Sequence, residues 1–121
     1  MKHCLVVDDS DVVRKVARRI LESRGLEVSE AANGREAVEK CLERMPDAVL
    51  LDWHMPEMNG LEFMGALRLS TKEPRPYIIY CTTENDPLEI SRAFAGGAND
   101  YMLKPFDRGL IEEKFTEAGL M

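Results

Sequence analysis

Short apolar runs alternate along the chain with longer amphipathic stretches. The runs are Cys4-Leu5-Val6-Val7, a mixed segment from Leu26 to Ala31, Ala48-Val49-Leu50-Leu51, Tyr77-Ile78-Ile79-Tyr80-Cys81 and Tyr101-Met102-Leu103. Three of them are nearly continuous and rich in branched or aromatic residues, the pattern of strands covered on both faces.

Between the runs, apolar positions recur at helical spacing. Ser10 or Asp11 caps a first predicted helix carrying Val12, Val13, Val16, Ala17, Ile20 and Leu21, which ends before Gly25. A second spans Gly34 to Met45, with Ala37, Val38, Cys41 and Leu42 on one side and Pro46 as a stop. A third starts at Gly60 or Leu61 and reaches Leu69, with Leu61, Met64, Ala66 and Leu67 inward. Asp86-Pro87 opens a fourth, because proline suits the first helical position; it passes Ile90 and Phe94 and stops at Gly96-Gly97. The fifth runs from Arg108 to Ala118 and carries Leu110, Ile111 and Phe115.

Five strand–helix pairs imply an α/β fold, a doubly wound parallel sheet with helices on both faces. Right-handed crossovers and a reversal of strand order place any ligand crevice at the carboxyl ends of the strands. Functional residues are therefore expected where apolar runs end.

Composition narrows the class. A chain of 121 residues, 45% hydrophobic and 31% charged, suits one globular domain over residues 1–121. No apolar run approaches the length of a membrane span, and Lys2 to Val7 is too short for a signal peptide. Acidic residues outnumber basic ones by 22 to 16, giving a net charge of −6. That balance argues against sequence-independent binding to nucleic acid or insertion at an anionic membrane. Cys4, Cys41 and Cys81 are odd in number and form no CxxC pair, so neither a disulfide framework nor a thiolate zinc site is expected. Together these features point to the cytoplasm. Met55, Met58, Met64 and Met102 read as gap fillers.

The chemistry gathers at the ends of the runs. The first ends in Asp8-Asp9, the third in Asp52 before Trp53-His54-Met55-Pro56, the fourth in Thr82-Thr83 and the fifth in Lys104-Pro105. Three carboxylates, a hydroxyl and an ammonium thus converge on one sheet edge. Carboxylates within about 4–6 Å repel one another, so such a site calls for a cation. Oxygen-only donors favour Mg²⁺, with Mn²⁺ as a substitute. A carboxylate is also a nucleophile toward phosphorus. Asp52, alone at the end of the central run, suits that role, with Asp8 and Asp9 on the metal and Thr82 and Lys104 on phosphate oxygens.

The segments LVVDDS, LLDWHMPEMNG, YCTTE and DYMLKPF stand in order, with Asp52 43 residues after Asp9, Thr82 30 after Asp52 and Lys104 22 after Thr82. In these motifs the chain resembles the receiver domains of bacterial two-component response regulators, of the single-domain chemotaxis CheY type. The resemblance covers the whole chain. It implies a flavodoxin-like five-stranded sheet in the order 2-1-3-4-5, an order carried over from the family. It also implies that Asp52 is the phosphoacceptor and that Asp8, Asp9, Asp52 and the backbone carbonyl of His54 hold Mg²⁺. Lys104, before a cis Pro105, is implied to contact phosphate. Thr82 matches the switch hydroxyl and Tyr101 the aromatic switch, so phosphate draws in Thr82, Tyr101 moves inward, and the face of the fourth helix, fifth strand and fifth helix changes shape for a downstream protein. His54 and Glu84, two residues beyond the phosphoacceptor and the switch threonine, are implied to tune phosphate lifetime, with His54 reaching across to Glu84.

The implied phosphodonor is a histidine kinase or a histidine phosphotransfer protein. Arg14, Lys15, Arg18 and Arg19 lie opposite the first helix's apolar stripe, as a solvated face or as part of the donor's docking surface. The expected function is a phosphorylation-dependent switch of the kind used in chemotaxis, cell-cycle phosphorelay and stress signalling. For a chain that ends here the expected output is protein contact, since only Met121 follows Leu120; for a piece of a longer regulator the output domain would lie outside it. Two alternatives are a turnover phosphatase or phosphotransferase with an aspartyl-phosphate intermediate, and a phosphate-independent adaptor. Against the first stands His54 where a second acid is usual; against the second stands the complete acidic set.

Overall fold

The computed structural model describes residues 1–72 and 74–121. Strands β1 (His3–Val7), β2 (Glu27–Ala31), β3 (Ala48–Asp52), β4 (Tyr77–Thr82) and β5 (Asp100–Leu103) alternate with helices α1 (Asp11–Ser23), α2 (Gly34–Glu43), α3 (Gly60–Ser70), α4 (Pro87–Gly96) and α5 (Arg108–Glu117). The strands pair in parallel in the order β2-β1-β3-β4-β5, which is the order the resemblance implies.

Alternation along each strand divides the core into two layers. Leu5, Val7, Val49, Leu51, Ile78 and Tyr80 face α2, α3 and α4, where Cys41, Phe63, Leu67 and Ala93 meet them. Cys4, Val6, Leu50, Ile79, Cys81 and Met102 point the other way, onto Ala17, Ile20 and Leu21 of α1 and Ile111 and Phe115 of α5. All three thiols are buried, and burial pushes Cys4 and Cys41 up to about 12. Among the described residues no helix is long and apolar enough to cross a membrane.

Each helix begins on a side chain that accepts a first-turn N–H: Ser10 from Val13, Asn33 from Glu36, Asn59 from Glu62, Asp86 from Leu88 and Asp107 from Leu110. At Asn59 the bond is reciprocated by Glu62, a capping box. Gly60 lies so close to the Trp53 ring that a Cβ there would sit 2.5 Å from its Cε3. Gly97 closes α4 with φ of +120°, a conformation that suits glycine.

Several expectations need correction. Val12 is 72% exposed and Val16, Leu42 and Leu61 are also exposed, because the packing arc of each helix is narrower than its apolar stripe. The basic group on α1 is not a freely solvated face. Arg14 Nε, Lys15 Nζ and Arg18 Nη1 converge on the Glu30 carboxylate at 3.1, 3.0 and 2.7 Å. Burial opposes ionisation of Glu30, but hydrogen bonds from Arg18, Lys15 and Arg14 outweigh it and hold the carboxyl at about 2. Helix α2 ends at Glu43 rather than at Met45, with Arg44 as an extended C-cap.

Candidate functional site

The carboxyl ends of β1, β3 and β5 bring three charged side chains together. Asp8 continues the ladder past β1, its N–H donating to the Ala31 carbonyl at 3.1 Å. Its Oδ1 accepts the Ser10 N–H at 2.8 Å, and Arg14 Nη1 donates to its backbone carbonyl at 2.6 Å. Asp52 is the last residue of β3, in register with Cys81. Lys104 is fixed by its own N–H, which donates to the Thr82 carbonyl at 2.8 Å, and the peptide bond to Pro105 is cis. The Lys104 ammonium lies 2.7 Å from Asp8 Oδ2 and 3.1 Å from Asp52 Oδ1.

Asp8 and Asp52 are 3% and 5% exposed. Burial raises the Asp52 carboxyl above its ordinary range, the neighbouring Asp8 charge raises it further, and Lys104 pulls the other way. For Lys104, burial disfavours the ammonium, yet the bond to Asp8 and the charge of Asp52 leave its pKa raised. Asp9 stands apart from these two: its side chain is exposed, at the rim. Carboxylate oxygens of Asp8, Asp9 and Asp52 nevertheless lie within 4.8 Å of one another. Three carboxylates and one ammonium leave two negative charges, the complement of one divalent cation. The donors are all oxygen, so the set fits Mg²⁺ or Mn²⁺.

Thr82 ends β4 and is fully buried, 0% exposed. Its Oγ1 accepts the Glu84 N–H at 3.1 Å and lies 3.3 Å from His54 Nε2. His54 does not pair with Glu84 as expected. Its Nε2 sits 2.9 Å from Oε1 of Glu89, in the first turn of α4, while the exposed Glu84 carboxylate stands within 4.8 Å of both. Sequence reasoning missed Glu89. Its place three residues after the Asp86 cap reads as a capping-box position, and only the docking of α4 turns it toward His54.

Tyr101 is half-buried in β5 and belongs to a row of rings. Trp53 tilts against Tyr80 at 5.0 Å, Tyr80 stacks on Tyr101 at 5.8 Å, and Phe94 meets Tyr101 edge-on at 6.3 Å. Lys114 Nζ lies 5.8 Å from the Tyr101 ring centroid. The row leads from the loop after Asp52 to an exposed phenyl on α4. On the other flank, Val12, Val13, Val16, Thr83, Lys104, Pro105 and Phe106 line a groove of about 420 Å³.

This fold, with buried carboxylates and a lysine at its sheet edge, defines a class that comparison with known proteins identifies. Residues 4–116 match the response regulator receiver domain, and the chain belongs to that family. It is similar to the chemotaxis protein CheY of Thermotoga maritima, with 40% identity over 117 residues covering 96% of each chain. It is also 37% identical over 102 residues to the transcriptional regulatory protein SrrA of Staphylococcus aureus, but covers only 41% of that longer protein. Among solved structures, chemotaxis protein CheY4 of Vibrio cholerae superposes with a TM-score of 0.91 at 33% identity, covering 97% of this chain and 98% of that one. The chain is thus a receiver domain of CheY type. Such domains are signalling proteins rather than turnover enzymes, generally bind Mg²⁺, and interact with histidine kinases and downstream targets.

Proposed function

We propose that the protein is a phosphorylation-dependent switch that accepts a phosphoryl group on Asp52 from a phosphohistidine donor. The observation that carries this reading is the Lys104 ammonium held between Asp8 Oδ2 at 2.7 Å and Asp52 Oδ1 at 3.1 Å. The two buried acids hold this ammonium charged just past the end of β5. A lysine meant to meet a transferred phosphoryl group belongs beside its acceptor.

A carboxylate oxygen of Asp52 attacks phosphorus, forming an O–P bond as the donor's N–P bond breaks and its imidazole leaves with the electron pair. Asp8, Asp9, Asp52 and the His54 carbonyl would hold Mg²⁺, which when bound would offset the charge of the approaching anion. Lys104 shifts from the carboxylates to the new phosphoryl oxygens. Thr82 turns its hydroxyl from His54 to donate to another. Because Tyr101 stacks on Tyr80, two residues before Thr82 on β4, movement of that strand end repositions Tyr101 and the α4–β5–α5 face.

That face presents exposed Leu88, Phe94 and Leu103, which suit an apolar contact with a downstream protein. The donor, a histidine kinase or histidine phosphotransfer protein, fits the groove beside Lys104, where Val12 and Val16 are exposed. In this reading Glu84 and His54, in the loops after β4 and β3, tune access of water to the phosphoryl group.

The test is labelling with acetyl phosphate and Mg²⁺. The wild type should take up one phosphoryl group and Asp52→Asn none; labelling that persists in the variant places the acceptor elsewhere. Sustained turnover of small phosphate esters would instead support a phosphatase. Trp53, buried next to Asp52, should report Mg²⁺ by a change in fluorescence.

A further inference from the structure

His54, Glu84 and Glu89 come from three separate segments, the loop after β3, the loop after β4 and the first turn of α4, yet their ligand atoms lie within 4.8 Å of one another. The Glu89 side chain is only 11% exposed. One of its oxygens faces His54 Nε2 at 2.9 Å, and the other, Oε2, is buried with no hydrogen-bond partner among the described residues. A buried carboxylate oxygen left unpaired costs free energy that an ordinary surface ion pair does not incur. A cation bound by Glu89 would satisfy it.

The donors differ in kind from those at Asp8, Asp9 and Asp52. One imidazole nitrogen and two carboxylates suit a borderline ion such as Zn²⁺, whereas an all-oxygen set suits Mg²⁺. Tetrahedral Zn²⁺ with bonds of about 2.0–2.2 Å places its ligand atoms roughly 3.4 Å apart. His54 is half exposed and Glu84 exposed, so both have room to reach that spacing around the more rigid Glu89.

We propose that His54 Nε2, Glu84 and Glu89 form a second cation site, of the Zn²⁺ class, separate from the Mg²⁺ site of the phosphorylation chemistry. The ion takes the lone pair of Nε2, so a hydrogen on that nitrogen moves to solvent or the ring adopts its Nδ1–H tautomer. Water fills the fourth position. The same nitrogen lies 3.3 Å from Thr82 Oγ1, so binding removes one partner of the Thr82 hydroxyl.

Cobalt(II) serves as the spectroscopic probe, titrated with Mg²⁺ in millimolar excess to occupy the carboxylate triad. The wild type should give a saturable one-to-one complex with visible absorption bands, displaced by Zn²⁺. His54→Gln, Glu84→Gln and Glu89→Gln should each weaken it about tenfold or more, and Asp52→Asn should leave it unchanged. Absence of saturable bands in the wild type reduces the cluster to an ion pair and overturns the proposal. So does a pattern in which Asp52→Asn weakens Co²⁺ at least as much as His54→Gln, since the ion then sits at the triad. The Mg²⁺ response of Trp53 in the same variants reads the phosphorylation site separately.

Discussion

Lys104 Nζ is nearer to Oδ2 of Asp8, at 2.7 Å, than to Oδ1 of Asp52, at 3.1 Å. The lysine thus engages a carboxylate that, in the function proposed above, Mg²⁺ would also use. Lys104→Ala should tighten Mg²⁺ binding, by roughly 5- to 30-fold if the lost repulsion is about 1–2 kcal/mol. The same variant should fail to pass phosphorylation on to partner affinity. Calorimetric titration with Mg²⁺ checks the first; an affinity equal to or weaker than wild type refutes it.

Asp52 has its carboxyl raised by burial and by Asp8. Its native pKa exceeds its unfolded value, so its contribution to stability is complete below the unfolded value and is lost as pH rises through the native one. Metal-free Asp52→Asn should therefore be more stable than wild type at pH 7, by roughly 0.5–2 kcal/mol. The gap should close below about pH 4, where the unfolded carboxyl also takes up its proton. Urea melts at the two pH values decide it.

Glu30 behaves oppositely. Its carboxyl is held at about 2 by Arg18, Lys15 and Arg14, below its unfolded value, so its contribution is present above about pH 4.3 and fades as pH falls toward 2. Glu30→Gln should cost roughly 1.5–3 kcal/mol at pH 7 and flatten that acid limb. Because Arg14 also donates to the Asp8 carbonyl, the variant should weaken Mg²⁺ binding as well. An unchanged Mg²⁺ titration would show that Arg14 holds Asp8 without help from Glu30.

Tyr80 carries a buried hydroxyl with no hydrogen-bond partner among the described residues, its pKa pushed up to about 12 by burial. Tyr80→Phe keeps the ring between Trp53 and Tyr101 and removes only the unpaired oxygen. It should raise stability by about 1 kcal/mol. A loss of stability in thermal melts would mean that the hydroxyl has a partner in solution.

Much of the fold was legible because its strands are covered on both faces. Continuous runs such as Ala48 to Leu51 and Tyr77 to Cys81 admit few other readings, and the carboxyl ends of those runs then pointed to Asp8, Asp52, Thr82 and Lys104. What escaped depends on how elements dock. Val12 and Val16 share the apolar pattern of Ile20 and Leu21, but α1 presents them to the groove rather than to the sheet. Glu30 gathers cations 12 to 16 residues away in the chain, a pairing set by how α1 lies across β2. The contact of Glu89 with His54 likewise needs the angle of α4. Helical periodicity carries no such information.

The deep burial of Cys4, Cys41 and Cys81 has a further consequence. A thiol raised to about 12 is ionised in only about one molecule in 10⁵ at neutral pH, and the thiolate is the form that reacts with oxidants and electrophiles. Peroxide or alkylating stress should leave these sulfurs untouched while the domain stays folded. Redox change in its surroundings then has no handle on these three thiols, and reaction with a thiol reagent becomes a direct clock for unfolding.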